Sequence, residues 1–237
     1  MSYNSYNNVK TNPSKPINVT ISKKQYARYP IKTHFVTTED NYIDVISEYA
    51  KPIYEKGDIL AISEKVIAVT QERIIKKEEM KVIPFAKFLS RFVHVSSAGQ
   101  SVGNPHKMQV AINRAGIFRI LIASFVAAIT RPFGIKGLFY KIVGNDVWAL
   151  DGFNDLAYDY YGDKGILSPK NPQQVCDHIK QETGINAVVA DANDLNIDIM
   201  GKSADIELDD DTIKEIIKDN PAGQKDEQTP LILIREL

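Results

Sequence analysis

Apolar positions along this chain come in short bursts that switch between two periods. The run INVTIS at 17–22 alternates with polar positions, as a half-covered strand does. DILAIS at 58–63 and NAVVAD at 186–191 are continuous apolar runs of buried-strand length. KVIAVTQERII at 65–75 reads as a continuation into a second strand, DVWALDG at 146–152 as a strand entering a turn, and PLILIREL at 230–237 as the closing strand. Helical spacing lies between them. Tyr42, Ile43, Val45, Ile46 and Tyr49 predict a helix that Pro52 and Gly57 end near Lys51. VIPFAKFLSRFV at 82–93 predicts a helix of about three turns. Residues 104–116 predict another, with Asn104 as cap, Pro105 at the first position and Gly116 past the end. Residues 172–184 predict a helix capped by Ser168 or Asn171 and ended by Gly184, and residues 209–219 a short one with acids at its start. Strands and helices alternate, yet several strand pairs are close neighbours. The expected fold class is therefore α+β, a mixed sheet with packed helices.

The most apolar stretch is IFRILIASFVAAIT at 117–130, 14 residues long, with Arg119 inside it and Arg131 after it. A spanning helix needs about 20 apolar residues, so a buried element is expected and a membrane partner is not. The N-terminus, MSYNSYNNVKTNPSKP, is polar and has no apolar core of a signal peptide. The organisation expected is a flexible tail over 1–15 and one domain over 16–237, with a helical sub-region over 82–140.

Composition narrows the partners. The chain has 237 residues, 43% hydrophobic and 25% charged, with a formal net charge of -1. Such a balance gives no basic excess for nucleic acid. The single cysteine, Cys176, allows no internal disulfide and fits a reducing, cytoplasmic setting.

Two acids end apolar strands, Asp151 in WALDGFN and Asp191 in VVADAND. Each either makes a turn or binds a cation, because a strand-end carboxylate must be capped, paired or ligated. Converging with Asn154 and Asn193, they would offer hard oxygen donors for Mg²⁺ or Mn²⁺, which in turn hold phosphates. Lys65 and Arg73 either neutralise phosphate oxygens or form a solvated edge of mixed charge. The loop SSAGQSVGNP at 96–105 is a turn or an anion-binding backbone, and Arg131 and Lys136 in RPFGIKG either reach an anionic substrate or link two elements. No P-loop and no dinucleotide-binding glycine pattern occurs. His34, His94, His106 and His178 have no metal-ligand spacing.

The order KGDILAISEKVIAVTQERI, ALDGFN, NAVVADAND and a final P-L-I-L-I-R strand resembles the coenzyme F-420 gamma-glutamyl ligases, in a shorter, divergent bacterial branch. The resemblance covers residues 57–75 and 146–237 in pieces. It implies a homodimeric ligase of mixed α+β fold that uses GTP and Mg²⁺ or Mn²⁺ to add glutamate to a deazaflavin precursor, the acceptor here being open. By the same resemblance Asp151 and Asp191 hold the metal, Asn154 matches a family asparagine, and Lys65 and Arg73 match its basic residues. The family's S-K-A-E-G-R segment departs here: its serine, lysine, glutamate and glycine become Ala68, Val69, Gln71 and Glu72. The family threonine after the second acid is Ala192. Those departures keep a second reading open, a nucleotide- and metal-binding or regulatory protein without the ligase step.

The loop DNPAGQKDEQTP at 219–230 precedes the last strand. Alone it reads as a solvated turn. The resemblance sets it beside the nucleotide, with Glu227 a further metal or water ligand and Gln224 and Gln228 hydrogen-bond partners for a ligand.

Overall fold

The computed structural model describes residues 8–92, 102–135, 137–144, 150–153, 162–192, 197–223 and 227–237. The chain forms two compact units, Met1–Glu72 with Pro169–Leu237, and Arg73–Ser168.

The larger unit holds a six-stranded sheet of β1 (Asn18–Ile21), β2 (Lys24–Ile31), β3 (Ile59–Ser63), β7 (Ala187–Ala192), β8 (Ile197–Lys202) and β9 (Leu231–Glu236), in the order β1-β2-β9-β3-β7-β8. β3 and β7 are parallel and every other pair is antiparallel. Helices α1 (Tyr42–Tyr49), α2 (Glu64–Thr70), α7 (Pro172–Thr183) and α8 (Asp210–Ile217) pack on it. The sheet is covered on both faces, which is why DILAIS and LILI read as unbroken apolar runs. Leu60, Ile62, Leu231 and Leu233 share one core with Ile46 of α1, Ile67 of α2 and Ile179 of α7. Their neighbours Ile59, Ala61, Ile232 and Ile234 point the other way, into a core with Ile213, Ile216 and Ile217 of α8. At one end of β9, Arg235 grips the buried Asp58 with two bonds, Nε to Oδ1 at 2.9 Å and Nη2 to Oδ2 at 2.7 Å. Residues 8–10 pair with the end of β2, where Val9 bridges Ile31.

The smaller unit joins a three-stranded antiparallel sheet, β4 (Ile74–Lys76), β6 (Lys164–Ile166) and β5 (Asp151–Gly152), in the order β4-β6-β5. It also has helices α3 (Pro84–Ser90), α4 (Pro105–Ala115), α5 (Ile117–Thr130) and α6 (Leu138–Val143). Met108, Ala111 and Ile112 of α4 pack with Ala86, Ile120, Ala123 and Val143. α4 begins as expected: Asn104 accepts a hydrogen bond from the His106 backbone at 2.8 Å, Pro105 fills the first position and Gly116 stops the helix at φ 80°.

Four expectations are corrected. KVIAV is not a strand but helix α2: Val66, Ile67, Ala68 and Val69 are all buried, so no polar position marks its period. The helix expected over 82–93 is two turns, started by Pro84. Asn171 stands before α7 in a left-handed conformation, φ 46°, and its side chain makes no capping bond. The run 117–130 is a helix, but only Ile120 and Ala123 of it are buried.

Candidate active site at one edge of the sheet

β3 and β7 run parallel and end side by side, with Ser63 opposite Ala190. β9 enters in the opposite direction, its Leu231 opposite both Ile62 of β3 and Ile31 of β2. One edge therefore collects the ends of β2, β3 and β7 and the starts of β8 and β9. Crevices outside the carboxyl ends of parallel strands are where open sheets bind ligands.

Lys65, the second residue of α2, is exposed just past the end of β3. Asp191 lies near the end of β7, half-buried, and stands directly across from Asp198 of β8. Opposed residues of an antiparallel pair share a face, so two carboxylates lie together there. The loop before β9 is strapped to the same edge. The Gln228 carbonyl accepts from Thr33 N–H at 3.1 Å, and the Pro230 carbonyl from Ser63 N–H at 2.9 Å. Glu227 folds back on Gly223, where a Cβ would stand 2.5 Å from its carboxyl carbon and where φ is 81°. Lys65, Asp191, Glu227 and Gln228 are thus gathered at one edge of the larger unit. Asp219 has another task, an ion pair with Arg28. Asn154, Asn193, Gln224 and Lys136 lie outside the described residues, as do His94, Tyr158, Tyr160, Tyr161 and most of the 96–105 loop.

The remaining site residues belong to the smaller unit. Asp151 is half-buried on β5, and its Oδ1 accepts from Gly152 N–H at 2.8 Å. Arg73 directs Nε to the Ser168 carbonyl at 2.9 Å, and its own carbonyl accepts from Leu167 N–H at 2.9 Å. Arg131 is exposed on the turn after α5.

A carboxylate pair suits hard cations such as Mg²⁺ or Mn²⁺. Among the described residues no group of three His, Cys, Asp or Glu side chains is placed to hold a metal ion. Asp198 gave no sequence signal because it becomes a partner of Asp191 only through the register of β8.

A second feature the sequence hid is His34, the residue after Thr33, whose N–H bonds into the loop. Its Nε2 lies 3.0 Å from Asp40 Oδ1 and its Nδ1 3.0 Å from the Tyr49 hydroxyl. Burial raises the Asp40 pKa, but hydrogen bonds from Thr37 N–H, His34 and the Thr37 hydroxyl outweigh it and hold the carboxyl below its ordinary range. The carboxylate is thus kept ionised beside the imidazole. Cys176 is excluded as a nucleophile: burial pushes its thiol up to about 11.

The segment that departs from the family pattern is explained locally. Gln71 donates from Nε2 to the Lys170 carbonyl at 3.1 Å and accepts from Lys170 N–H at 2.7 Å, a reciprocal pair that a carboxylate cannot complete. Glu72 sits at φ 55°, a left-handed conformation that a glycine adopts freely. Val69 is buried.

A mixed six-stranded sheet with packed helices, Lys65 following one of its two parallel strands and Asp191 near the end of the other, makes this an α+β protein. A family model described as F420-0:Gamma-glutamyl ligase matches residues 30–193, more than two thirds of the 237 residues, and the chain belongs to that family. No curated protein matches it. No single helix among the described residues is long and apolar enough to cross a membrane.

Proposed function

We infer that this protein is a nucleotide- and metal-dependent amide ligase, with GTP the expected nucleotide and glutamate the amine donor. The observation that supports the reading is the family match, together with the sheet end where Lys65 follows β3 and Asp191 faces Asp198. Asp191 and Asp198 would hold Mg²⁺ or Mn²⁺, the resemblance adds Glu227 as a metal or water ligand, and a bound ion offsets nucleotide phosphate charge. Lys65 neutralises phosphate oxygens as the γ-phosphoryl group passes to the substrate carboxylate, leaving GDP. The amine nitrogen of glutamate then attacks the acyl carbon, phosphate leaves, and the amine proton goes to a base. Gln228 would bind the ligand from the loop, as the resemblance suggests. The resemblance also assigns Asp151 to the metal, Arg73 to the phosphates, Asn154 and Gln224 to the nucleotide or substrate, and a homodimer to the assembly; Asn193 and Arg131 are further candidates for binding the ligand from their place in the sequence.

Calorimetric titration of GTP with Mg²⁺ or Mn²⁺ tests this. Binding is expected in the wild type and lost in Asp191→Ala, and the Asp151→Ala titration tests that residue's assignment. GDP release on adding glutamate and an acceptor is the expected turnover. An absence of nucleotide binding overturns the proposal.

The second reading, a nucleotide-binding or regulatory protein on the same scaffold, is favoured by Val69, buried where the family carries a lysine. Tight GTP binding without GDP release across a panel of acids and amines would establish it.

A further inference from the structure

The whole-chain charge conceals a segregation. Between Glu79 and Asp146 there is no Asp or Glu, while nine Lys and Arg occur: Lys81, Lys87, Arg91, Lys107, Arg114, Arg119, Arg131, Lys136 and Lys141. The full chain has 29 basic and 30 acidic residues, so the rest carries 20 basic against 30 acidic. The stretch is therefore +9 and the remainder -10, which together give the net -1.

The same stretch exposes apolar surface. α5 is apolar nearly all round, yet only its Ile120 and Ala123 face is buried, against the core that α4 and α6 complete. Phe118, Leu121, Ile122, Phe125 and Ile129, spaced as one helical stripe, are exposed, and Phe133 continues beyond it. Phe118 and Phe133 are each 79% exposed. A helix that is apolar on both sides and covered on one calls for a second apolar phase. α5 is about 21 Å long by its 14 residues, short of a hydrocarbon core of about 30 Å. It meets α4 at 116°, so the two do not make a continuous span.

We propose that the α5 face of the smaller unit docks on an anionic lipid surface, with the phenylalanine stripe in the headgroup boundary and exposed cations against lipid phosphates. Arg114 and Arg119 flank the start of α5 and Arg131 follows its end, all exposed. Apolar burial plus attraction to anionic headgroups is what holds an interfacial helix. The charge argues against a second copy, since two faces of like sign would meet. Nucleic acid would use the cations but would leave the aliphatic and aromatic stripe in water.

The test is flotation of the full chain with vesicles of phosphatidylcholine alone or of an equimolar mixture with phosphatidylglycerol. Co-flotation with the anionic vesicles is expected, weakened by high salt and by omitting phosphatidylglycerol. The triple variant Phe118→Ser, Phe125→Ser, Phe133→Ser should bind at least about 100-fold more weakly. Replacing Arg114, Arg119 and Lys141 by Gln should cost about five-fold per cation. Circular dichroism and a urea midpoint should be unchanged in both variants, because the altered side chains are exposed. Failure of the wild type to float with anionic vesicles overturns the proposal. So does a dimer that sedimentation shows to be lost in Phe125→Ser without vesicle binding, or nucleic-acid binding that is indifferent to the phenylalanines without vesicle binding.

Discussion

Arg28 of β2 and Asp219, just past α8, form an ion pair in which the guanidinium is 1% exposed. Arg28 Nη1 also donates to the last turn of α8, at the Ile216 carbonyl 2.9 Å away, and Nη2 to the Pro16 carbonyl. One buried cation thus ties a strand, a helix end and the segment before β1. Removing the carboxylate strands that cation, whereas removing the guanidinium leaves only carbonyls and a half-open acid. Asp219→Ala is therefore expected to cost about 3 kcal/mol and Arg28→Met about 1–2 kcal/mol. Urea unfolding followed by circular dichroism measures both, and the reverse ranking would contradict the argument.

Glu72 pays for its left-handed backbone at φ 55° with no Cβ-free residue to relieve it. Glycine there removes the strain but adds freedom to the unfolded chain, which recovers part of the difference. Glu72→Gly should therefore stabilise by up to about 1 kcal/mol, read as a higher urea midpoint at unchanged slope. Glu72→Val should do the opposite, because a β-branched residue tolerates this region least. A destabilised glycine variant would mean that the Glu72 side chain holds the turn.

How much of this was legible in the sequence follows from what each signal measures. α4 was legible to its ends because Asn104, Pro105 and Gly116 act locally, through cap and φ. β3 and β9 were legible as apolar runs between turn residues. α2 was not, since four successive buried residues, Val66 to Val69, leave no polar position to mark a helical period. The burial of α5 was misjudged because apolar composition says what a face avoids, not what covers it. At the site, Asp191 was visible as an acid ending a strand. Asp198 and His34 were not, since each acquires its partner through register or through a loop closing on a distant side chain.

His106 occupies the second position of α4 and stacks on the buried Phe153, with ring centroids 5.7 Å apart. Burial, then Lys77 and Lys87, lower its pKa below the ordinary 6.5. The helix N-terminus is also a poor place for a cation. The unfolded chain takes up the proton first, so the contribution is fully present above 6.5 and is lost as pH falls from there through the lower folded value. Wild type should lose stability relative to His106→Gln across that window. Parallel curves of melting temperature against pH would show that the ring does not titrate as described.

The facing acids Asp191 and Asp198 make a prediction of opposite sign with and without metal. Like charges directly across an antiparallel pair cost about 0.2–1 kcal/mol. Asp198→Asn should therefore raise the melting temperature slightly in chelator, where repulsion is relieved. A cation that bridges both carboxylates stabilises the folded state in proportion to its occupancy, as any ligand of the folded state does. Adding Mn²⁺ should then raise the melting temperature of wild type more than that of Asp198→Asn, and the two curves should cross as the ion is titrated. Equal Mn²⁺ shifts in both proteins would remove Asp198 from the metal, and a lower melting temperature of Asp198→Asn in chelator would show that the pair is already neutralised by the protein's own cations.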